Sequence, residues 1–328
     1  MRAELALIGR GNVARRFVEL IDQRAARLAS DHQLTCRIVG TATRTHGANY
    51  AGEPCADAFE VIARLGRSRA DLRIVVETTT LDVRNGEPAI AHVRAGIDAG
   101  CHVVTANKGP VAFAYADLRD AAAAAGVRFL FEGAVMDGIP IFNLVRETLP
   151  AVDIVGFEGV VNATTNHIIT AMELGETFEA ALARMQEEGI AEADPTLDVD
   201  GWDAAAKTAA LANVLMNARI TPLDVRRTGL GASTGESARR ARASGRRLKL
   251  VASARRDATG AMVCIVEPRA LPADDLLAGL TGSANALILE TDLLNRIAIC
   301  QLSGSLSQTA YALMSDIIAI SRADGSRS

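Results

Sequence analysis

Leu5-Ala6-Leu7-Ile8-Gly9-Arg10-Gly11-Asn12-Val13-Ala14 is the stretch on which the fold turns. Its apolar start reads as a strand and its glycines as a turn, and beyond them apolar residues recur at helical spacing through Val13, Phe17, Leu20, Ile21 and Leu28. Strand, glycine turn and helix in that order supply the context that a GxGxxG/A match needs to count as a dinucleotide fingerprint. The first glycine permits the tight turn and the second lets main chain approach a pyrophosphate. The small Ala14 allows close helix–strand packing, with the phosphates at the helix N-terminus. Gly9, Arg10, Gly11, Asn12 and Val13 are therefore cofactor-binding candidates. An ordinary glycine-rich turn is the competing interpretation, and the flanking pattern weighs against it.

Outward from that unit, strands are expected at residues 36–44, 72–77, 102–105 and 127–131, with helices at 88–99 and 115–125 between them. Alternation of this kind implies a Rossmann-type, doubly wound parallel sheet. Ligands of such sheets bind beyond the carboxyl ends of the strands, where Thr78, Thr79, Asn107, Lys108 and Glu132 fall. From about residue 153 the pattern changes to one strand, consecutive helices and then strand-like runs at 247–254, 262–266, 286–290 and 297–302. This predicts an α+β unit for substrate binding and dimerisation. The expected division is 1–142 for the dinucleotide-binding domain, with a C-terminal helix at 306–320 returning to it, and 143–305 for the second domain.

Composition narrows the function classes. With 49% hydrophobic and 23% charged residues, the 328-residue chain is of globular type, and its length favours two domains. A net charge of −4 gives no reason to expect nucleic acid or an anionic membrane surface as a partner. The arginines between Arg239 and Arg256 have no aromatic residue among them and read as a solvated helix face. No apolar run approaches a membrane-spanning length. The five cysteines are scattered, odd in number and free of CxxC spacing, which fits free thiols in a reducing compartment. A cytoplasmic location is expected.

The second informative stretch runs from Gly189-Ile190-Ala191-Glu192-Ala193-Asp194-Pro195-Thr196-Leu197-Asp198 to Gly201-Trp202-Asp203-Ala204-Ala205-Ala206-Lys207. Positions i and i+4 of a helix share a face, so Asp203 and Lys207 project together. Alone, such a pair is usually a surface salt bridge worth a few tenths of a kcal/mol. Together with the nucleotide fingerprint it becomes a candidate for handling a proton. Thr164, Thr165 and Asn166 lie between a strand and a helix, and N-capping and substrate contact are both open for them.

In order along nearly the whole chain, four segments resemble the homoserine dehydrogenases: Gly9-Arg10-Gly11-Asn12-Val13, Val104-Thr105-Ala106-Asn107-Lys108-Gly109-Pro110, Asn162-Ala163-Thr164-Thr165-Asn166, and Ala191-Glu192-Ala193-Asp194-Pro195 through Lys207. The resemblance implies interconversion of L-homoserine and L-aspartate 4-semialdehyde by hydride transfer with NAD or NADP, in the biosynthesis of threonine and methionine. It assigns Lys207 to acid/base work, Lys108 to the same centre, Asp203 to orienting the substrate and Glu192 to the substrate amino group. Asp198, Thr164, Thr165 and Asn166 complete the expected substrate set. The chemistry asks for such groups, because alcohol oxidation must shed a hydroxyl proton and aldehyde reduction must gain one. A lysine, with a pKa of about 10.4 in water, needs burial or a neighbouring cation to act as a base near neutrality.

The resemblance also maps a monovalent-cation site, for sodium or potassium, onto Glu132, Val135, Asp137 and Ile139, largely through main-chain carbonyls, as a hard cation prefers. It implies a homodimer. Because the chain ends soon after the last expected helix, no appended regulatory domain is expected. Three positions bordering the expected pocket depart from the family pattern: Ala163, Ile190 and His167. They keep open a dehydrogenase of the same build acting on another small hydroxy amino acid; a non-catalytic NAD(P)-binding regulator is the alternative from another class. The second strand ends in Thr41, Thr43 and Arg44 without the acid that grips the ribose of NAD, which favours NADP and adds Arg44 to the cofactor set.

Overall fold

The computed structural model describes residues 1–187 and 194–325. Two compact units divide the chain: Met1–Leu144 with Ser305–Ser328, and Val145–Gly304.

The first unit is built on β1 (Arg2–Ile8), α1 (Asn12–His32), β2 (Thr35–Thr43), β3 (Gly47–Tyr50), β4 (Glu53–Cys55), α2 (Ala58–Gly66), β5 (Leu72–Glu77), α3 (Ala89–Asp98), β6 (His102–Thr105), α4 (Lys108–Ala124) and β7 (Phe129–Leu130). Its sheet has the order β4-β3-β2-β1-β5-β6-β7. The strands from β2 to β7 in that order pair in parallel, while β3 and β4 add an antiparallel hairpin on the β2 edge. Central strands covered on both faces read as apolar runs, as Leu5-Ala6-Leu7-Ile8 and Ile74-Val75-Val76 do, all nearly inaccessible. Phe17, Leu20, Ile21 and Leu28 of α1 share one core with Ala310, Leu313, Met314, Ile317 and Ile320 of the C-terminal helix (Leu306–Gly325).

The first unit departs from the sequence-based expectation in several places, and α2 has no counterpart among the expected helices. α4 begins at Lys108, seven residues before the expected start at 115. Pro110 is harmless there because a first-turn residue has no helical partner for an N–H, and a break at Ala114 (φ −140°, ψ 18°) makes 115 look like a start. The β3–β4 hairpin has no counterpart among the expected strands; its strands are too short and too exposed to show a period.

α5 (Phe142–Thr148) crosses the division between the units. The second unit continues with β8 (Ile154–Val160), α6 (Ala163–Glu173), α7 (Phe178–Glu187), α8 (Thr196–Val199), α9 (Trp202–Leu215), β9 (Arg226–Arg227), α10 (Thr234–Ala243), β10 (Arg246–Arg256), β11 (Met262–Pro272), β12 (Asn285–Thr291) and β13 (Arg296–Gln301). Its sheet, ordered β13-β12-β8-β10-β11-β9, is antiparallel apart from the β9–β11 pair. Val160, Val251, Ala286 and Ile288 form a core with Leu277, Ala278 and Leu280 of the β11–β12 loop. Among the described residues no helix is long and apolar enough to cross a membrane.

Candidate active site

In the first unit the glycine turn has the properties that a pyrophosphate requires. Gly9 sits at φ 93°, and a Cβ there would lie 2.7 Å from the main chain of Thr78. Only glycine lets this turn pass so close to the end of β5. Thr78 fastens the contact, donating its N–H to the Ile8 carbonyl at 2.8 Å and its hydroxyl to the same oxygen at 3.1 Å. A Cβ on Gly11 would meet nothing within 4 Å. Behind it α1 starts without a side-chain cap and without an acid in its first turn, leaving its positive end suited to an anion. Of the other candidates, Asn12 turns its Oδ1 to Arg15, Val13 packs on the core, and Arg10 and Arg44 are exposed.

Thr79 and Asn107 face inward. The Asn107 Oδ1 accepts from Gly109 N at 2.8 Å, capping the helix whose first residue is Lys108, and its Nδ2 donates to the Thr79 carbonyl at 2.9 Å. Both belong to a network around the fully buried Glu77, a residue absent from the sequence-derived set. Its signal in the sequence is a carboxylate closing the apolar run Ile74-Val75-Val76.

The expected cation set lies in a tight loop with Met136 at φ 50° and Asp137 at φ 56°. The Glu132 carboxylate accepts from the N–H groups of Ile141 (2.6 Å), Phe142 (3.0 Å) and Asn143 (2.6 Å), so it serves the start of α5. Asp137 accepts from the Thr309 hydroxyl at 3.3 Å, Val135 is buried, and Ile139 N donates to the Met136 carbonyl. Among the described residues no group of three or more His, Cys, Asp or Glu could hold a metal ion. A hard cation takes oxygen donors, which in such a loop are main-chain carbonyls and carboxylates.

In the second unit the chemistry gathers at the start of α9. Gly201, at φ 79°, turns the chain from α8 into that helix. β9 and the segment after it hold the turn in place: Leu230 N donates to the Val199 carbonyl at 2.8 Å, and Arg227 donates to the Asp200 carbonyl at 2.6 Å while lying 3.6 Å over the Trp202 ring. Asp203 and Lys207 meet at 2.9 Å with side-chain exposures of 15% and 14%, and Lys207 Nζ donates to the Val161 carbonyl at 2.6 Å. A lysine this covered and held from two elements is no surface salt bridge.

Asn162, also absent from the sequence-derived set, organises the cluster. Its Oδ1 caps α6 by accepting from Thr165 N at 2.8 Å, and its Nδ2 donates to Asp198 at 2.7 Å and to Asp203 at 2.9 Å. Burial, and then the charge of Asp203, hold the Asp198 carboxyl above the usual aspartate range. Thr164 is buried beside Asp198, and the Thr165 hydroxyl donates back to Asn162. Asn166 stands apart: 1% exposed, it accepts from Lys249 Nζ at 2.9 Å and donates to the carbonyls of Gly282 and Ala284. Its amide is spent inside the unit. Lys249 itself is buried and, among the described residues, pairs with no acid in a salt bridge; burial pulls its amine down to about 8. His167 lies near Gly282, and Ala163 is the first residue of α6. Glu192 and Ile190 lie outside the described residues.

A nucleotide-binding half of this form, and a half presenting a lysine with ordered carboxylates, define a nicotinamide-dependent dehydrogenase. Residues 9–132 match the family model described as "Homoserine dehydrogenase, NAD binding domain", and residues 140–318 match "Homoserine dehydrogenase". The chain belongs to the homoserine dehydrogenase family. It is 36% identical to an "NAD(+)-dependent homoserine dehydrogenase" of Pseudomonas canavaninivorans, across 97% of this chain and 96% of that one. It is 39% identical to a homoserine dehydrogenase of Methanocaldococcus jannaschii over 76% of this chain and 73% of the relative. Among solved structures, a homoserine dehydrogenase from Thiobacillus denitrificans superposes with a TM-score of 0.87 at 30% identity, covering 99% of this chain and 74% of that one.

Proposed function

We propose that the protein interconverts L-homoserine and L-aspartate 4-semialdehyde, with Lys207 moving the proton at the substrate oxygen. The observation that carries this reading is the joined set of Asn162, Asp198, Asp203 and Lys207. The bound nicotinamide supplies the hydride acceptor or donor. In the reducing direction the Lys207 ammonium, aimed by Asp203 and the Val161 carbonyl, donates to the oxygen on which charge develops. In the oxidising direction the same amine takes the hydroxyl proton. Asp198, with the Glu192 of the family pattern, suits an α-ammonium, a charge that must be paired before it is buried. Lys108 is the second lysine of the scheme, fixed by the Asn107 cap.

Gly9, Gly11 and the start of α1 would hold the pyrophosphate, and Arg44 would pair with a 2′-phosphate. We infer NADP as the favoured form, although one relative is NAD(+)-dependent by name. A homodimer is inferred on the resemblance, with the exposed Cys300 and Leu302 at the β13 edge open to a second copy. The five free cysteines suit the reducing cytoplasm.

The deciding assay is nicotinamide reduction by the purified protein with L-homoserine, run with NAD and NADP, in sodium, potassium and tetramethylammonium buffers. Homoserine-dependent turnover is expected, faster with NADP at limiting cofactor; in Arg44→Ala the NADP advantage is expected to vanish. Cofactor binding without turnover would reject homoserine. A panel of small hydroxy amino acids would then test the pocket bordered by Ala163 and His167.

A further inference from the structure

The carboxyl ends of β5 and β6 carry a hydrogen-bonded ring centred on Glu77, a residue to which the reaction scheme assigns no part. Glu77, 0% exposed, accepts from Thr79 N at 2.8 Å and from the Thr79 hydroxyl on Oε1, and from the Thr105 hydroxyl at 2.7 Å on Oε2. Thr105 Oγ1 accepts in turn from Asn107 N at 2.9 Å, and the Asn107 amide returns to the Thr79 carbonyl at 2.9 Å. The ring is closed, and each of its members is tied to the next. Among the described residues Glu77 makes no salt bridge, and burial pushes its carboxyl above the usual glutamate range. A buried acid without a cation costs stability, and an apolar side chain would fill the space more cheaply. The acid's advantage is geometric: two hydroxyls and one N–H from two different loops converge on its two oxygens. The same loops end in the cap that starts α4 at Lys108.

We propose that Glu77 is a positioning residue, whose buried carboxylate locks the loops after β5 and β6 into the arrangement that presents Lys108 and the main chain around Thr79 to the cofactor. This rests on the assignment of Lys108 and those loops to the cofactor side of the reaction. Glu77 itself touches neither substrate nor cofactor.

The test compares Thr105→Val, which keeps the shape of Thr105 but opens the ring, with Thr105→Ser, which keeps the hydroxyl, and with Glu77→Gln. Three quantities are read for each: the thermal midpoint, the NADPH dissociation constant from NADPH fluorescence, and kcat and KM with homoserine. For Thr105→Val, NADPH binding is expected to weaken several-fold and kcat to fall by about tenfold, with the homoserine KM within about twofold of the parent. Thr105→Ser is expected to recover most of both losses. Glu77→Gln can keep the ring by turning the Thr105 hydroxyl, so a smaller loss of the same pattern is expected without a fall in thermal midpoint. A folded Thr105→Val protein with parental NADPH binding and kcat overturns the proposal, as does a change confined to thermal stability or to the homoserine KM. Should Glu77→Gln fail to fold, the Thr105 pair decides. Should the parent protein not oxidise homoserine, the substrate assignment fails while the NADPH arm still decides the role of the ring.

Discussion

Asn107 and Asn162 do the same work in the two units and differ in what the other half of each amide holds. Each caps a helix with Oδ1, α4 in one case and α6 in the other. The Nδ2 of Asn107 ends on a neutral carbonyl, that of Thr79, whereas the Nδ2 of Asn162 is shared between two carboxylates, Asp198 and Asp203. Around Asn107 the first unit fixes its loops with hydroxyls and main chain around one lone acid. Around Asn162 the second unit fixes its site with charges, two acids against one lysine. A lattice around one buried acid offers few charges for salt to screen, whereas a cluster of three charges responds to both pH and salt. The same residue type at the same position of a helix therefore serves geometry in one unit and electrostatics in the other.

The largest expected effect falls on the charged side. Lys207→Met removes the group proposed to handle the proton while keeping the stem that packs in the second unit, and kcat should drop by about a thousandfold. NADPH affinity should remain near that of the parent, since the nucleotide turn belongs to the first unit. Steady-state rates with NADPH titration check both statements, and a loss of less than about tenfold would move the proton to another group.

Replacing each asparagine by aspartate sharpens the contrast directly. Both substitutions keep the capping oxygen and exchange the NH2 for a charged oxygen. At Asn162 that oxygen would face two carboxylates, so kcat/KM should fall by about a hundredfold at neutral pH, with partial recovery as pH falls and the acids protonate. At Asn107 it would face one carbonyl with Glu77 nearby, and a loss of about tenfold or less is expected, with little recovery towards acid. Equal losses and equal pH profiles would dissolve the distinction between the two caps.

Much of this is legible in the chain. The glycine turn, the apolar parallel strands and the i, i+4 spacing of Asp203 and Lys207 are local patterns with short-range causes. The features that escape are non-local. Glu77 closes the apolar run Ile74-Val75-Val76, and Lys249 stands between Leu248 and Leu250. Thr79 is near Glu77 in sequence, but the partners that complete each network lie far along the chain, Thr105 for one, Asn166 and Leu280 for the other. Asn162 has the sequence of a simple cap, and nothing nearby tells that Asp198 and Asp203 return to its other side. Asn166 illustrates the reverse: it stands among substrate-set residues in sequence, yet its amide is consumed by Lys249 and the β11–β12 loop. The start of α4 is hidden because a break at Ala114 divides one helix into two periodic segments.

The smallest effect separates the cost of the charged cluster from its use. Asp198 has its carboxyl raised above the ordinary aspartate value of 3.8, by burial first and by Asp203 second. An acid raised on folding contributes stability that is fully present below its unfolded value and is lost as pH rises through its folded value. At neutral pH that contribution is gone, and the two carboxylates oppose each other. Asp198→Asn keeps an oxygen for the Asn162 amide and removes the repulsion, so it should be more stable than the parent by about 1 kcal/mol at pH 7, with the difference shrinking towards pH 3.8. Its turnover should fall, because the carboxylate proposed to face the substrate ammonium is gone. Denaturant unfolding at several pH values, read beside the kinetics, checks both halves. A variant less stable than the parent at pH 7 would mean that Lys207 and Asn162 already neutralise the pair. The charged cluster would then be as relaxed as the ring around Glu77.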